Sequence, residues 1–337
     1  MDRRSFVFKS SIIGLAASSL PLIAKSEASG SIIKPAPLKK NATIGLITPG
    51  SALSRSAFEN TLINLQALGY KVKYSSNVKV RSGFLSGTDQ QRIEDIHAMF
   101  SDKEVEGIFC ARGGYGCGRL LDDIDYSIIQ ENPKPFIGYS DITALHCAFY
   151  KKTGLVTFHG PVGASEWNDF SIDYVDDLLS KGKKVKIKCE NPIVIRSGIA
   201  TGKLIGGNLT LLTSLIGTEH DPDYTDHILF IEEVGEATYR IDRMLTQMRA
   251  AGKFNQVKGI ALGYFTDCDL SADDPGYEYS IGLQEVFKDR LGDLGVPVVF
   301  GFPFGHEPHN ATLPIGIDAE LDAEKGVIKM LDTAVNG

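Results

Sequence analysis

Three short apolar runs, at residues 42–48, 107–111 and 135–139, each stop at a turn and each lead toward a segment whose apolar residues recur with helical spacing. That alternation constrains the fold most, because strands separated by helices pair in parallel and are covered by helices on both faces. After the first run, Phe58, Leu62, Leu65 and Leu68 share one helical face, and Gly69 suits the position just past the helix end. Thr88 and Gln91 have capping-box spacing ahead of a helix carrying Ile93, Ile96 and Phe100. The third run enters a helix with Ile142, Leu145 and Phe149. Residues 42–165 are therefore expected to form an N-terminal parallel-sheet α/β domain.

A polar, lysine-rich stretch at 180–188, followed by Pro192, breaks the pattern, and residues 166–200 read as a linker. Beyond it, residues 228–231, 259–265 and 298–300 have the character of buried strands. Between the first two, residues 237–251 predict a helix with Ile241, Leu245 and Met248 inward and Gly252 past its end. Residues 313–331 alternate as short strands do, so residues 201–337 are expected to be a smaller, β-rich α+β C-terminal domain. Two domains also suit a chain of 337 residues.

With 43% hydrophobic and 23% charged residues, disordered, collagen-like and coiled-coil chains are excluded. A net charge of -7 with no basic footprint argues against a nucleic-acid partner. Cys110, Cys117, Cys147, Cys189 and Cys268 are scattered without a C-x-x-C pair, which reads as buried thiols and not as a disulfide framework or zinc site. At the N-terminus, Arg3 and Arg4 precede an apolar run at 12–23 and a small-x-small site, Ser26-Glu27-Ala28. That order resembles a twin-arginine export signal over residues 1–28, with a Pro/Lys-rich leader at 29–41. The mature chain is then expected in the periplasm, without stable membrane insertion.

The sharpest chemical feature is Ser140, at the strand-to-helix turn of Phe136-Ile137-Gly138-Tyr139-Ser140-Asp141. A hydroxyl there is exposed at the carboxyl edge of a parallel sheet, and the next helix points free N–H groups at it. A serine at that place can also merely cap the helix, and the segment lacks the second glycine of G-x-S-x-G. Arg112-Gly113-Gly114-Tyr115-Gly116-Cys117-Gly118 follows another strand; it fits neither a dinucleotide fingerprint nor a P-loop, and is either a tight turn or a source of oxyanion donors. The strand at 228–231 ends in Glu232-Glu233, and either carboxylate could orient a histidine. The candidate is His306, in a loop of glycine, proline and aromatic residues. His306 and His309 cannot form a zincin pair because Pro308 forbids the helix, so neither metal nor cofactor is expected. His146 and His159 read as packing residues, and Asp267, Asp269, Asp273 and Asp274 as a solvated loop without EF-hand spacing.

Taken in order, Arg112-Gly113-Gly114-Tyr115-Gly116, Gly138-Tyr139-Ser140-Asp141, Ile205-Gly206-Gly207-Asn208-Leu209, Phe230-Ile231-Glu232-Glu233-Val234, Tyr239-Arg240-Ile241-Asp242-Arg243 and Gly305-His306 resemble the LD-carboxypeptidase family of serine peptidases. The resemblance runs from about residue 42 to the C-terminus. It implies Ser140 as nucleophile, Glu232 as the residue orienting the imidazole, with Glu233 its rival, and His306 as general base. It also implies an oxyanion hole from the backbone N–H groups of Gly114 and Asp141, a site between two domains, a homodimer, and a murein tetrapeptide that loses its terminal D-alanine. The free carboxylate of such a substrate needs a cation, Arg240 or Arg112, with Asn208 adding hydrogen bonds; an ion pair within the helix is the competing role for Arg240. Two other readings are open: a microcin-immunity-type hydrolase of peptidyl-nucleotides, and an exported two-domain binding protein without catalysis.

Overall fold

The computed structural model describes residues 31–270 and 277–337. The export signal, and Asp273 and Asp274 of the acidic loop, lie outside the described residues. Five parallel strands begin the chain: β1 (Thr43–Ile47), β2 (Lys71–Tyr74), β3 (Gly107–Cys110), β4 (Phe136–Gly138) and β5 (Thr157–His159). Their spatial order is β2-β1-β3-β4-β5, so the order reverses at β1 and β3, and the crevice beyond the carboxyl ends of these strands is where such sheets bind ligands. Helices α1 (Arg55–Ala67), α2 (Asp89–Ser101), α3 (Tyr126–Glu131) and α4 (Thr143–Thr153) make the connections. Ser54 caps α1, and Thr88 with Gln91 closes the capping box of α2, as their spacing predicts. Leu46, Ile108, Phe109, Phe136 and Ile137 are wholly buried, which explains why β1, β3 and β4 read as unbroken apolar runs.

The expected linker at 166–200 is structured. It holds α5 (Asp169–Val175) and two strands, β6 (Lys186–Lys188) and β7 (Ile193–Arg196), that form the two edges of a second sheet. Lysine on alternate positions of β6 disguised it, yet charged edge strands are the ordinary defence against unwanted pairing. The remaining strands are β8 (Ile199–Asn208), β9 (His227–Val234), β10 (Gly259–Thr266), β11 (Val298–Phe300), β12 (Leu313–Ile315), β13 (Asp318–Asp322) and β14 (Val327–Met330). The second sheet runs β6-β14-β13-β8-β9-β10-β11-β7. Its centre, β8 to β11, is parallel, with α6 (Leu209–Ser214), α7 (Thr238–Ala250) and α8 (Leu283–Leu291) in the crossovers, and its flanks are antiparallel. The molecule is thus mixed α/β with two sheets. β12 leaves the second half of the chain and pairs antiparallel with β5, Leu313 opposite His159, so the two halves share a sheet. All five cysteines are buried and free.

Candidate active site

Ser140 is one of four described non-glycine residues with positive φ, at 65°. For an L-residue this left-handed conformation costs roughly 1–2 kcal/mol, and it persists only where the surroundings enforce it. The surroundings here are close. A Cβ added to Gly113 would lie 3.0 Å from the Tyr139 carbonyl oxygen, 3.1 Å from the Ser140 Cβ and 3.2 Å from the Asp141 nitrogen. The second glycine that the Ser140 turn lacks is therefore supplied from the end of β3. The Ser140 side chain makes no hydrogen bond with any described residue, so the serine does not act as a cap. Asp141, 2% exposed, accepts the Cys117 N–H at 2.8 Å and ties the glycine-rich turn to the serine turn. Arg92, also buried, donates to the Pro49 and Gly116 carbonyls and holds the same turn from below. The N–H groups of Gly114 and Asp141 have no backbone acceptor among the described residues.

The second half supplies a carboxylate–imidazole pair. His306 donates from Nδ1 to Glu232 Oε2 at 2.7 Å, and Glu232 is wholly buried at the end of β9. Glu233 faces elsewhere: it accepts from Asn208 Nδ2 at 2.7 Å, Thr210 Oγ1 at 2.7 Å and the Thr210 and Val234 N–H groups. The alternation of a strand decides between the two neighbours, since successive side chains point to opposite faces. Gly305, with φ of 122°, makes the approach possible, because a Cβ there would lie 3.1 Å from Glu232 Cβ and 3.2 Å from Oε2. The imidazole of His306 packs on Tyr139, the residue before Ser140, with ring centroids 4.7 Å apart. Its Nε2 has no hydrogen-bond partner among the described residues. Burial disfavours the imidazolium, but the bond to Glu232 and the charges of Glu232, Glu233 and Glu307 outweigh it, so the His306 pKa lies above the ordinary 6.5. Burial likewise pushes the Glu233 carboxyl up, against the hydrogen bonds it accepts.

The sequence candidates for substrate contact divide. Arg112 is exposed, donates only to the Ala52 carbonyl at 3.3 Å, and has no carboxylate partner among the described residues. Arg240 pairs with Glu236 at 3.2 Å and with the Tyr239 hydroxyl, which is the competing ion-pair role. Asn208, expected to face substrate, is 3% exposed and spent internally: Nδ2 holds Glu233 and Oδ1 caps α6. His146 bonds to Thr157 and to the Gly138 carbonyl, and burial pulls its pKa down to about 4. His159 lies buried against Phe230, and burial holds its pKa well below the ordinary 6.5. His309 packs on Phe170. Asp122, Glu219 and His220 bring ligand atoms within 4.8 Å of one another, but Lys152 already pairs with Glu219 at 2.8 Å.

The sequence of the His306 loop does not itself mark the residues that hold it. Asn168 and Ser171, from the segment read as linker, donate to the Pro308 carbonyl, and Ser171 Oγ accepts the Asn310 N–H at 3.1 Å. Asn310 Oδ1 in turn accepts the Gly305 N–H at 3.2 Å. The only signal was the N-cap character of Asn168 ahead of α5.

Comparison with known proteins agrees with this architecture. Residues 44–160 match the family model of the LD-carboxypeptidase N-terminal domain, and residues 201–321 that of the LD-carboxypeptidase C-terminal domain. A probable murein peptide carboxypeptidase of Bacillus subtilis is 39% identical over 305 residues, covering 88% of this chain and 93% of the relative. The crystal structure of muramoyltetrapeptide carboxypeptidase from Oxalobacter formigenes superposes with a TM-score of 0.76 at 30% identity, over 86% of this chain and 98% of that one. The microcin C7 self-immunity protein MccF in its wild-type apo state gives a TM-score of 0.80 at 26% identity, over 90% and 100% of the two chains. With both domain families matched in order across most of the polypeptide, this chain belongs to the LD-carboxypeptidase family of peptidases.

Proposed function

We propose that the protein is a serine carboxypeptidase that releases the terminal D-alanine of murein tetrapeptides by cleaving the amide that follows the L-centre of the diamino acid. Ser140 Oγ attacks the scissile carbonyl while His306 Nε2 takes its proton. Glu232 holds the imidazole by Nδ1 and stabilises the imidazolium that forms. The N–H groups of Gly114 and Asp141 donate hydrogen bonds to the negatively charged tetrahedral oxygen. Collapse of this intermediate expels D-alanine, whose nitrogen takes the proton from His306, and water then opens the acyl-enzyme with the same base. Arg112, lacking a carboxylate partner among the described residues, serves the free carboxylate of the leaving residue.

The observation that carries this reading is the buried Glu232–His306 pair at 2.7 Å, packed through Tyr139 on the turn that strains Ser140. A binding protein has no use for a serine in a strained turn whose preceding residue packs on an oriented imidazole. We also propose export through the segment 1–28, on its charge and apolar pattern alone, and a homodimeric assembly. The test is mass spectrometry of a muropeptide mixture before and after treatment. Loss of 1 D-alanine from tetrapeptides with wild-type protein, and none with Ser140→Ala, is the expected result; full activity of Ser140→Ala refutes the mechanism. A second reading, hydrolysis of peptidyl-nucleotides, is favoured by the TM-score of 0.80 to MccF. Turnover of such a nucleotide with none of the murein peptide would select it.

A further inference from the structure

The imidazole of His306 lines a pocket of about 130 Å³ together with Tyr139, Ser165, Glu166, Glu307 and Asn310. That volume holds roughly four water-sized groups, enough for the head of one side chain and its immediate neighbour. Its charge is one-sided: the exposed Glu166 and the half-buried Glu307 line it, no lysine or arginine does, and neither glutamate forms an ion pair with a described residue. Glu307 is fixed in place by the Thr266 hydroxyl, which donates to Oε1 at 3.0 Å. The pocket also contains a donor with no acceptor among the described residues. Asn310 is 4% exposed, its Oδ1 is taken by the Gly305 N–H, and its Nδ2 has no acceptor among the described residues. Two acceptors with negative charge beside one free donor define a ligand that offers a cation next to an oxygen.

We propose that this pocket is an ammonium subsite, in which Glu166 and Glu307 accept hydrogen bonds from the free side-chain amine of the diamino acid and Asn310 Nδ2 donates to a carbonyl or carboxylate oxygen beside it. The inference rests on the peptidase reading above and narrows its substrate. A diamino acid has one amine in the main-chain amide, and the second is either free and charged or acylated and neutral. The subsite selects the first form. Acylated side chains, as in crosslinked peptides, lose the charge and add bulk where the pocket has little room. Charge-assisted hydrogen bonds are among the strong ones, and one of them is sufficient for a preference of roughly tenfold or more.

The experiment compares two tetrapeptides that differ only in the diamino side chain, free or N-acetylated, with the wild-type chain, Glu166→Gln, Glu307→Gln and the double variant. The readout is the ratio of kcat/KM for the two peptides, which cancels any general effect of a substitution on His306. Wild type is expected to favour the free amine by about tenfold or more, and the double variant to bring the ratio close to one. A wild-type ratio near one overturns the subsite, as does a loss in the variants that is equal for both peptides. Release of D-alanine from neither peptide refutes the peptidase reading instead; calorimetric titration of the two peptides into wild type then decides the subsite, which falls unless the free amine binds more tightly.

Discussion

Glu232→Gln isolates the electrostatic part of the proposed mechanism, because glutamine keeps the shape and an acceptor for His306 Nδ1 while removing the charge. Glu232 is wholly buried and its contact with the imidazole is 2.7 Å. Taking the two charge centres as about 4 Å apart at an effective dielectric of about 20, the carboxylate stabilises an imidazolium by about 4 kcal/mol. The imidazolium exists in the transition state and not in the resting pair, whose imidazole is neutral, so this energy appears in the rate, as a loss of roughly three powers of ten in kcat. Thermal stability should move little or rise, since Glu232 Oε1 has no hydrogen-bond partner and neutralising a buried carboxylate removes a desolvation penalty. Glu233→Gln is the paired control. Glu233 accepts four hydrogen bonds from Asn208, Thr210 and Val234, so its neutralisation should lower stability by about 1–3 kcal/mol with a much smaller effect on kcat. The assay is chromatographic D-alanine release from a murein tetrapeptide, with melting followed by circular dichroism. Glu232→Gln within tenfold of wild type, or Glu233→Gln the worse catalyst of the two, refutes the assignment of Glu232 to the imidazole.

The remaining predictions concern strain, approach, protonation and charge. Ser140→Gly and Ser140→Ala should both be inactive, but the glycine variant should be the more stable by about 1 kcal/mol in urea unfolding, because only glycine adopts φ of 65° freely. Gly305→Ala should cost about 1–3 kcal/mol of stability and lower kcat/KM at least about tenfold by pushing the loop off Glu232. The base works only when neutral and its pKa is raised, so activity should climb with pH to a midpoint above 6.5, and Glu232→Gln should move the midpoint down; an unchanged acid limb counts against His306 as base. Arg112→Ala should raise KM about tenfold with a smaller change in kcat, whereas Arg240→Ala, already paired with Glu236, should stay within about twofold in both.

Part of this molecule was legible in one dimension. Strands buried on both faces must be continuous apolar runs, so β1, β3, β4, β9, β10 and β11 stand out, and helix caps such as Thr88 with Gln91 are local devices. Other elements were hidden for equally physical reasons. β6 alternates lysine with a buried isoleucine because it is an edge, and β8 carries Gly202, Gly206 and Gly207, which lower strand propensity. Segment 166–200 looked like a linker because its order comes from what it touches: the second sheet and the His306 loop.

The same division applies to the site. By itself the amino-acid order determined which chemistry was available: a serine at a strand-to-helix turn, two carboxylates at the end of an apolar strand, and a histidine in a rigid loop, with six motifs in the order of one family. Only the tertiary structure decided which carboxylate meets the imidazole, that Gly113 supplies the space Ser140 requires, that Asn208 is consumed internally, and that Arg112 is unpaired among the described residues while Arg240 is not. The reason is distance along the chain. Ser140 follows β4, Glu232 lies on β9 and His306 sits in the loop after β11, and contacts between such residues are set by sheet order and side-chain facing, which no local pattern of residues encodes.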